Sequence, residues 1–254
     1  SGQAMTEWAD HALVLRIGHF RESDLWLKML CRKHGLLTLF AFGGSRSRRR
    51  FCGCLDVLNS LHCRVKASGR GGFLNLEEAV LLGGPQSLRR NWRRMGLAAN
   101  CLRFVEALGV NGEGAGEAFL LVEDLRKTLE EADNVPTLLP LFFRLRFAGV
   151  LGFAPDLGKC GTCGTEIIGP AQFVVDEAQL RCPSCRAVAG PARYGVELGG
   201  GALDLLRHVQ QEFPSSWHAE ELPAADRRAC AKVIDGFVQY HLGLSWEGGY
   251  FRHV

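Results

Sequence analysis

The sequence predicts an α+β protein, with a small antiparallel barrel at its N-terminus and a helical domain behind it that carries one cysteine-rich insertion. Three observations predict this. Apolar residues alternate between Leu13 and Leu82, they recur every three to four residues after Pro85, and four cysteines fall into two C-x-x-C pairs. With 254 residues, 47% of them hydrophobic, the chain can fill the cores of two or three compact units.

The barrel comes first. Leu25, Leu27, Met29 and Cys31 fall on one face of a strand, with Trp26, Lys28, Leu30 and Arg32 on the other. From Leu55 to Lys66, Leu55, Val57, Leu61, Cys63 and Val65 oppose Asp56, Ser60, His62, Arg64 and Lys66, so both outward faces are basic. Breaks at Gly18–Ser23, Lys33–Gly35, Gly43–Gly53 and Ala67–Gly72 divide the region into five strands. Five short strands suit a barrel, because closure removes the exposed edges of a small sheet. The barrel domain is drawn at residues 5–85.

The period then changes. Leu88, Trp92, Met95, Ala99 and Leu102 predict an amphipathic helix over Gln86–Leu108, with Arg89, Arg90, Arg93 and Arg94 at its start. Cations at a helix N-terminus oppose its dipole, which points to a ligand for the quartet. Further helices are expected at Glu117–Ala132, at Thr137–Leu151, which is apolar nearly all round, at Ala202–Phe213 and at Ala224–Leu242. Residues 86–254 thus read as an all-helical domain with one insertion.

That insertion, drawn at 158–193, contains CGTCG at Cys160–Gly164 and CPSC at Cys182–Cys185. Two C-x-x-C pairs separated by 18 residues have the spacing of a four-cysteine zinc ribbon, with Cys160, Cys163, Cys182 and Cys185 as ligands. The competing reading is two reduced pairs or labile disulfides. Gly161 and Gly164 let the backbone turn beneath a metal, and Phe173–Val175 with Gln179–Arg181 can form the ribbon's hairpin. Four thiolates close a zinc shell, so the ion would be structural. Cys31, Cys52, Cys54, Cys63, Cys101 and Cys230 read as core or incidental residues.

No catalytic constellation is found. His218-Ala219-Glu220 follows both cysteine pairs, the reverse of the order in nucleobase deaminases. Gly152 to Cys160 is one residue too long for a Walker loop and lacks its Ser/Thr. Asp10, Asp24, Asp56, Glu77 and Glu78 show no spacing typical of a metal-dependent nuclease. The longest apolar stretch, Leu138–Phe143, is too short to span a bilayer and contains Pro140. No secretion signal follows Met5, and SGQA before it reads as an expression remnant, so a cytoplasmic protein with reduced thiols is expected.

Charge divides the chain. Residues 1–94 hold 16 Lys/Arg against 7 Asp/Glu, and the remainder holds 14 against 20. The front half favours a polyanion, although a solvated surface would have the same composition. The densest cluster, FGGSRSRRRF, puts Arg46, Arg48, Arg49 and Arg50 in a connection between the third strand and one beginning near Leu55. Beside Trp26, Lys28 and Arg32 it would combine a charged track with a stacking surface, as OB-folds do for single strands. Arg64, Lys66 and the Arg89–Arg94 quartet complete the candidate nucleic-acid residues.

This organisation resembles the RecO family of bacterial recombination mediators. The resemblance is carried most specifically by RLRFAGVLGFAPDLGKCGTCG at Arg144–Gly164. It extends through HFRESD at His19–Asp24, the glycine-arginine segment, GALDLLRHV at Gly201–Val209 and YHLG at Tyr240–Gly243. It implies a non-enzymatic protein that binds single- and double-stranded DNA, anneals complementary strands, and works with RecR, in some members RecF, to load RecA onto DNA coated by single-strand-binding protein. It further implies a nucleoid-associated protein whose helical domain receives the acidic-hydrophobic tail of single-strand-binding protein, with Arg144 and Arg146 as candidate contacts. Phe42 stands where relatives often carry a basic residue, and Leu244–Gly248 replaces their basic tail. A zinc-ribbon adaptor that binds RNA in translation or transcription is the alternative, and a nuclease a third.

Overall fold

A computed structural model describes residues 6–69, 71–217 and 222–254. His218-Ala219-Glu220 and the residues before Thr6 lie outside them. The protein is α+β, and its contacts divide it into two compact units. One comprises the chain through Met95 together with Leu108–Glu130, the other Gly96–Ala107 and Glu131–Val254.

In the first unit β1 (Glu7–His19), β2 (Leu25–Cys31), β3 (Gly35–Ala41), β4 (Ser60–Ala67) and β5 (Leu74–Gly83) close into a barrel in the order β1-β2-β3-β5-β4. The long β1 serves two neighbours, pairing through its first half with β4 and through its second with β2; a bulge between Val14 and Arg16 bends it from one to the other. Closure between β3 and β5 is parallel and rests on one residue pair, Phe40 with Asn75. The interior is the predicted apolar face: Leu25, Leu27, Met29, Cys31, Leu61, Cys63 and Val65 are all buried.

Two features depart from expectation. The fourth strand begins at Ser60 rather than near Leu55, because residues 54–59 form a turn in which Leu58 takes a left-handed φ of 67°. The arginine segment is not a plain loop. Ser47 caps a four-residue helix, α1 (Arg48–Phe51), by accepting from the Arg50 amide, and Phe51, 1% exposed, inserts into the barrel core. A charged segment that ends in a core aromatic is anchored by hydrophobic burial.

The first unit also contains α3 (Ala115–Glu131), whose buried residues Ala118, Phe119, Val122, Leu125 and Leu129 lie at helical spacing. The predicted helix from Gln86 is interrupted. A 3-10 turn, Leu88–Arg90, ends at an extended Asn91, and α2 runs from Trp92 to Leu108 with the Asn91 side chain accepting from the Arg94 amide. Glu130 explains the break: its carboxylate accepts the backbone amides of Gln86, Ser87 and Leu88, which fixes the turn from outside.

The second unit is built round α4 (Leu139–Val150), buried on nearly every side as its composition predicts. Arg144 and Arg146, the candidate contacts for an acidic-hydrophobic tail, are buried, at 4% and 6% exposure. Around it lie α6 (Gly200–Gln211) and α7 (Ala224–Leu242). The unit is not all helical. β6 (Asp156–Cys160), β7 (Ala171–Val174), β8 (Gln179–Arg181) and β9 (Gly195–Leu198) form a sheet in the order β6-β8-β7-β9, with α5 (Pro183–Ala189) between β8 and β9. The predicted two-strand hairpin is its centre. After Gly243 ends α7 in a left-handed cap, a hairpin of β10 (Leu244–Glu247) and β11 (Tyr250–His253) turns through Gly248-Gly249, both at positive φ.

Candidate nucleic-acid surface and metal centre

The arginine segment is held beside the β1–β2 turn. The Gly43 amide donates to Asp24 Oδ1 at 2.7 Å, the Ser45 amide to the Ser23 carbonyl at 3.2 Å, and Arg46 pairs with Glu22. Arg50 donates to the Phe42 carbonyl and to Ser47 Oγ, with its guanidinium 4.9 Å from the Phe51 ring. Arg46 and Arg50 therefore have internal partners. Arg48 and Arg49 project from α1 into solvent, and among the described residues neither has an acidic partner.

The other basic candidates lie in different surroundings. Lys28 faces Arg16 and Thr38 across its neighbours on β2's outer face, and Arg32 is exposed in the following turn. Arg64 is clamped between Glu7 and Glu78, and hydrogen bonds to these two carboxylates push its pKa up. Lys66 is opposite Glu7. Because β1 lies between β2 and β4, the two basic outer faces read from the sequence are not on adjacent strands. Arg89 bonds to Asn59 at 2.8 Å and to Asp56 at 3.3 Å, and Arg94 caps the Leu129 carbonyl at 2.9 Å. Those two arginines stabilise their surroundings, which the dipole argument did not foresee; Arg90 and Arg93 remain exposed.

Trp26 is committed to its own barrel. Its indole lies over Gly18 so closely that a Cβ there would overlap it, and the Arg16 guanidinium stands 5.0 Å from its centroid. An exposed aromatic cluster lies elsewhere on the barrel: Phe20 (39% exposed), Phe42 (46%) and Phe73 (57%) gather round the half-buried Phe40. Phe20 meets Phe40 and Phe42 edge-on at 5.5 and 5.8 Å, and Phe40 meets Phe73 at 5.6 Å. The signal for it was present in the alternation, which turns Phe40 and Phe42 outward.

In the second unit the four ribbon cysteines converge, every sulfur within 4.8 Å of the others. The Cys163 and Cys182 sulfurs are 3.9 Å apart, and a tetrahedron with Zn–S of about 2.3 Å has edges of about 3.8 Å. Gly164 N bonds back to the Cys160 carbonyl at positive φ, and Gly161 packs against Gln179 with no room for a Cβ. The Cys182 and Cys185 amides donate to the Cys160 and Cys182 sulfurs. Burial pushes the Cys160 thiol up, but the amides of Cys163, Cys182 and Thr162 outweigh it and bring the pKa down to about 6. Neighbouring Cys182 and Cys163 push Cys185 up to about 12. Four sulfurs this close cannot all ionise without a cation, so the donor set fits a thiophilic metal. Sequence reasoning missed what fixes the sheet: Arg207 on α6 donates to the Leu157 and Ile167 carbonyls, both at 2.6 Å, and Gln210 to that of Pro155 at 2.9 Å.

Arg144 lines a cavity of about 440 Å³ with Pro140, Leu141, Val238, Trp246 and Phe251. It bonds to Asp235 at 3.1 Å and Asn100 at 2.9 Å, 4.9 Å from the Phe251 ring centroid. Burial pulls its pKa down and pushes that of Asp235 up. Arg146 bonds to the Glu212 carbonyl and lies over Phe213.

Among the described residues, no helix is long and apolar enough to cross a membrane. Residues 5–84 match the family profile described as Recombination protein O N terminal, and residues 89–248 match Recombination protein O C terminal. The chain is 48% identical over 253 residues to a protein of Nitratidesulfovibrio vulgaris named DNA repair protein RecO, covering 98% of this chain and 100% of that one. A protein of the same name from Lawsonia intracellularis is 41% identical over 252 residues, with the same coverage, and one from Myxococcus xanthus is 28% identical over 239, covering 94% of each.

Proposed function

The chain belongs to the RecO family, and from that premise we propose that it is a cytoplasmic, nucleoid-associated mediator of recombinational repair that binds single- and double-stranded DNA and anneals complementary strands. The family is one of recombination proteins and not of enzymes. In this reading residues 5–85 are an OB-fold DNA-binding domain, a view supported by the barrel order, and 86–254 are a helical domain with a ribbon at 158–193.

One observation carries the reading: Arg48 and Arg49, exposed and without acidic partners among the described residues, on a helix pinned to the barrel by Phe51. Guanidinium groups held at a fixed position lower the repulsion between two phosphate backbones, which annealing requires, and affinity then falls as salt rises. Lys28, Arg32, Arg90 and Arg93 extend the basic surface. Arg64 and Arg89, already engaged with carboxylates, contribute less. Cys160, Cys163, Cys182 and Cys185 would hold a zinc ion, which when bound cross-links the two knuckles and leaves no open coordination position.

The protein partners proposed are RecR, the C-terminal tail of single-strand-binding protein, and in addition RecF and RecA. The Arg144 cavity, with a cation among aromatic and aliphatic walls, has the chemistry for an acidic-hydrophobic tail; Arg146, turned to Glu212, is assigned a structural role. The test is annealing of complementary strands coated with the cognate single-strand-binding protein. Faster annealing with the protein, lost at high salt, is expected. No acceleration, together with preference for structured RNA in competition, would overturn the reading in favour of an RNA adaptor.

A further inference from the structure

We propose that Phe20, Phe40, Phe42 and Phe73 form a platform on which unpaired bases stack, so that the barrel distinguishes single-stranded from duplex DNA by its aromatic rings and not by its arginines. The inference rests on the DNA-binding reading above and names the part of that site which recognises bases.

Three phenylalanines 39–57% exposed and joined through Phe40 are an unusual surface for a chain that buries Phe51, Phe104, Phe119, Phe143, Phe147 and Phe173 almost completely. Their positions are built. Phe20 stands in the β1–β2 turn, where its amide bonds to the Asp24 carbonyl; the same Asp24 binds the Gly43 amide, next to Phe42. Phe73 follows Gly71 and Gly72, both at positive φ, and a Cβ at Gly71 would press on its ring at 3.1 Å. Phe40 sits at the single recorded pair between β3 and β5, opposite Asn75, whose buried Oδ1 has no hydrogen-bond partner among the described residues.

The surroundings commit the platform to a polyanion. Residues 16–50 hold nine Lys/Arg against two Asp/Glu. The Arg21 guanidinium lies 5.9 Å from the Phe20 centroid, and Arg50 grips the Phe42 carbonyl at the root of the arginine helix. A phosphate track thus runs beside the rings. Bases of a duplex are stacked on each other and cannot reach such rings, whereas unpaired bases present a free π-face of any sequence. Stacking engages the faces of the bases and leaves their pairing edges open to a second strand. This is the arrangement that annealing needs.

The experiment compares the full chain with its Phe42→Ala/Phe73→Ala variant, titrating labelled single-stranded oligo-dT and a duplex of equal length at several salt concentrations. Single-strand affinity should fall about tenfold or more, with duplex affinity within about twofold and the salt slopes unchanged. A Phe73→Trp variant covers the case in which the alanine variant does not fold: its added indole emission should be quenched by oligo-dT and not by an abasic strand. Equal affinities of variant and wild type for single strands, equal loss for both DNAs with a lower salt slope, or quenching by the abasic strand would each overturn the platform. Wild-type protein that binds neither DNA would instead overturn the DNA-binding reading and the platform with it.

Discussion

The two compact units use arginine in opposite ways. In the barrel unit Arg48 and Arg49 stand in solvent, and what is buried is the aromatic anchor beside them, Phe51. In the helical unit Arg144 and Arg146 are themselves buried, each with hydrogen-bond acceptors and an aromatic ring at its guanidinium. A guanidinium in water is available to a phosphate, while one already desolvated and hydrogen-bonded supports the fold whether or not its cavity takes a ligand. Substitution is therefore expected to change salt-dependent binding at Arg48 and Arg49 and stability at Arg144 and Arg146. Substitutions can test this division.

The largest effect is expected at the metal centre. Cys160→Ser removes one of four converging sulfurs, so the proposed metal should no longer be retained, and the helical unit should lose stability on the order of several kcal/mol. Metal content and thermal unfolding by circular dichroism measure this. DNA affinity should stay within about twofold; a collapse of binding in folded protein would put the ribbon in the interface. Next comes Arg144→Ala, expected to cost about 2–3 kcal/mol in urea denaturation. The figure is below that for a fully buried pair because the Asp235 side chain is 60% exposed and can regain water. Arg144→Met, which keeps the bulk, should cost less. An unchanged midpoint for both variants would remove the structural half of the contrast.

The contrast was only partly legible in the sequence. Period-two alternation read the barrel well because its inner face is continuous: each of Leu25, Leu27, Met29 and Cys31 points inward. The cysteine pairs were legible because their chemistry depends on local spacing. What escaped reading depends on partners distant in the chain. Arg144 looks like a surface cation until Asp235, 91 positions away, comes beside it. The Arg89–Arg94 quartet looks uniform until Asn59 and the Leu129 carbonyl claim two of its members. Trp26 reads as a stacking surface and Phe42 only as a missing basic residue, yet Gly18 and Arg16 occupy the indole while Phe42 is open to solvent. The C-terminal hairpin escaped because a four-residue strand has too few positions to show a period.

A middle case is Glu130, an acid that holds the turn carrying Arg89 and Arg90. Burial pushes its carboxyl up, but the Leu88 amide, the Ser87 hydroxyl and amide, and the Gln86 amide outweigh it and hold the pKa at about 2. A carboxylate depressed in the folded state adds stability above its unfolded pKa of about 4.3, and that stability is lost as pH falls toward the folded value. Glu130→Gln should therefore cost about 1–2 kcal/mol at pH 7. The gap from wild type should narrow progressively between about pH 4.5 and pH 2. Urea midpoints measured across that range would show it; a gap independent of pH would mean that the charge on Glu130 plays no part.

The smallest effect on folding is expected where the effect on DNA is most specific. Arg48→Ala/Arg49→Ala removes two guanidinium groups that have no acidic partner among the described residues, so stability should move by no more than about 0.5 kcal/mol. Each phosphate contact contributes about 0.7 to the salt exponent on single strands, so the slope of log affinity against log salt should fall by about 1.4. Arg89→Ala/Arg94→Ala deletes the same formal charge from residues bound to Asn59 and to the Leu129 carbonyl. It should lower the urea midpoint and leave the salt slope nearly intact. Two pairs of equal charge would then differ in both measurements, in opposite senses, which bulk net charge cannot produce. Equal changes in the salt slope for the two pairs would mean that the barrel unit attracts DNA through its overall field, and that the placement of Arg48 and Arg49 on α1 has no consequence for binding.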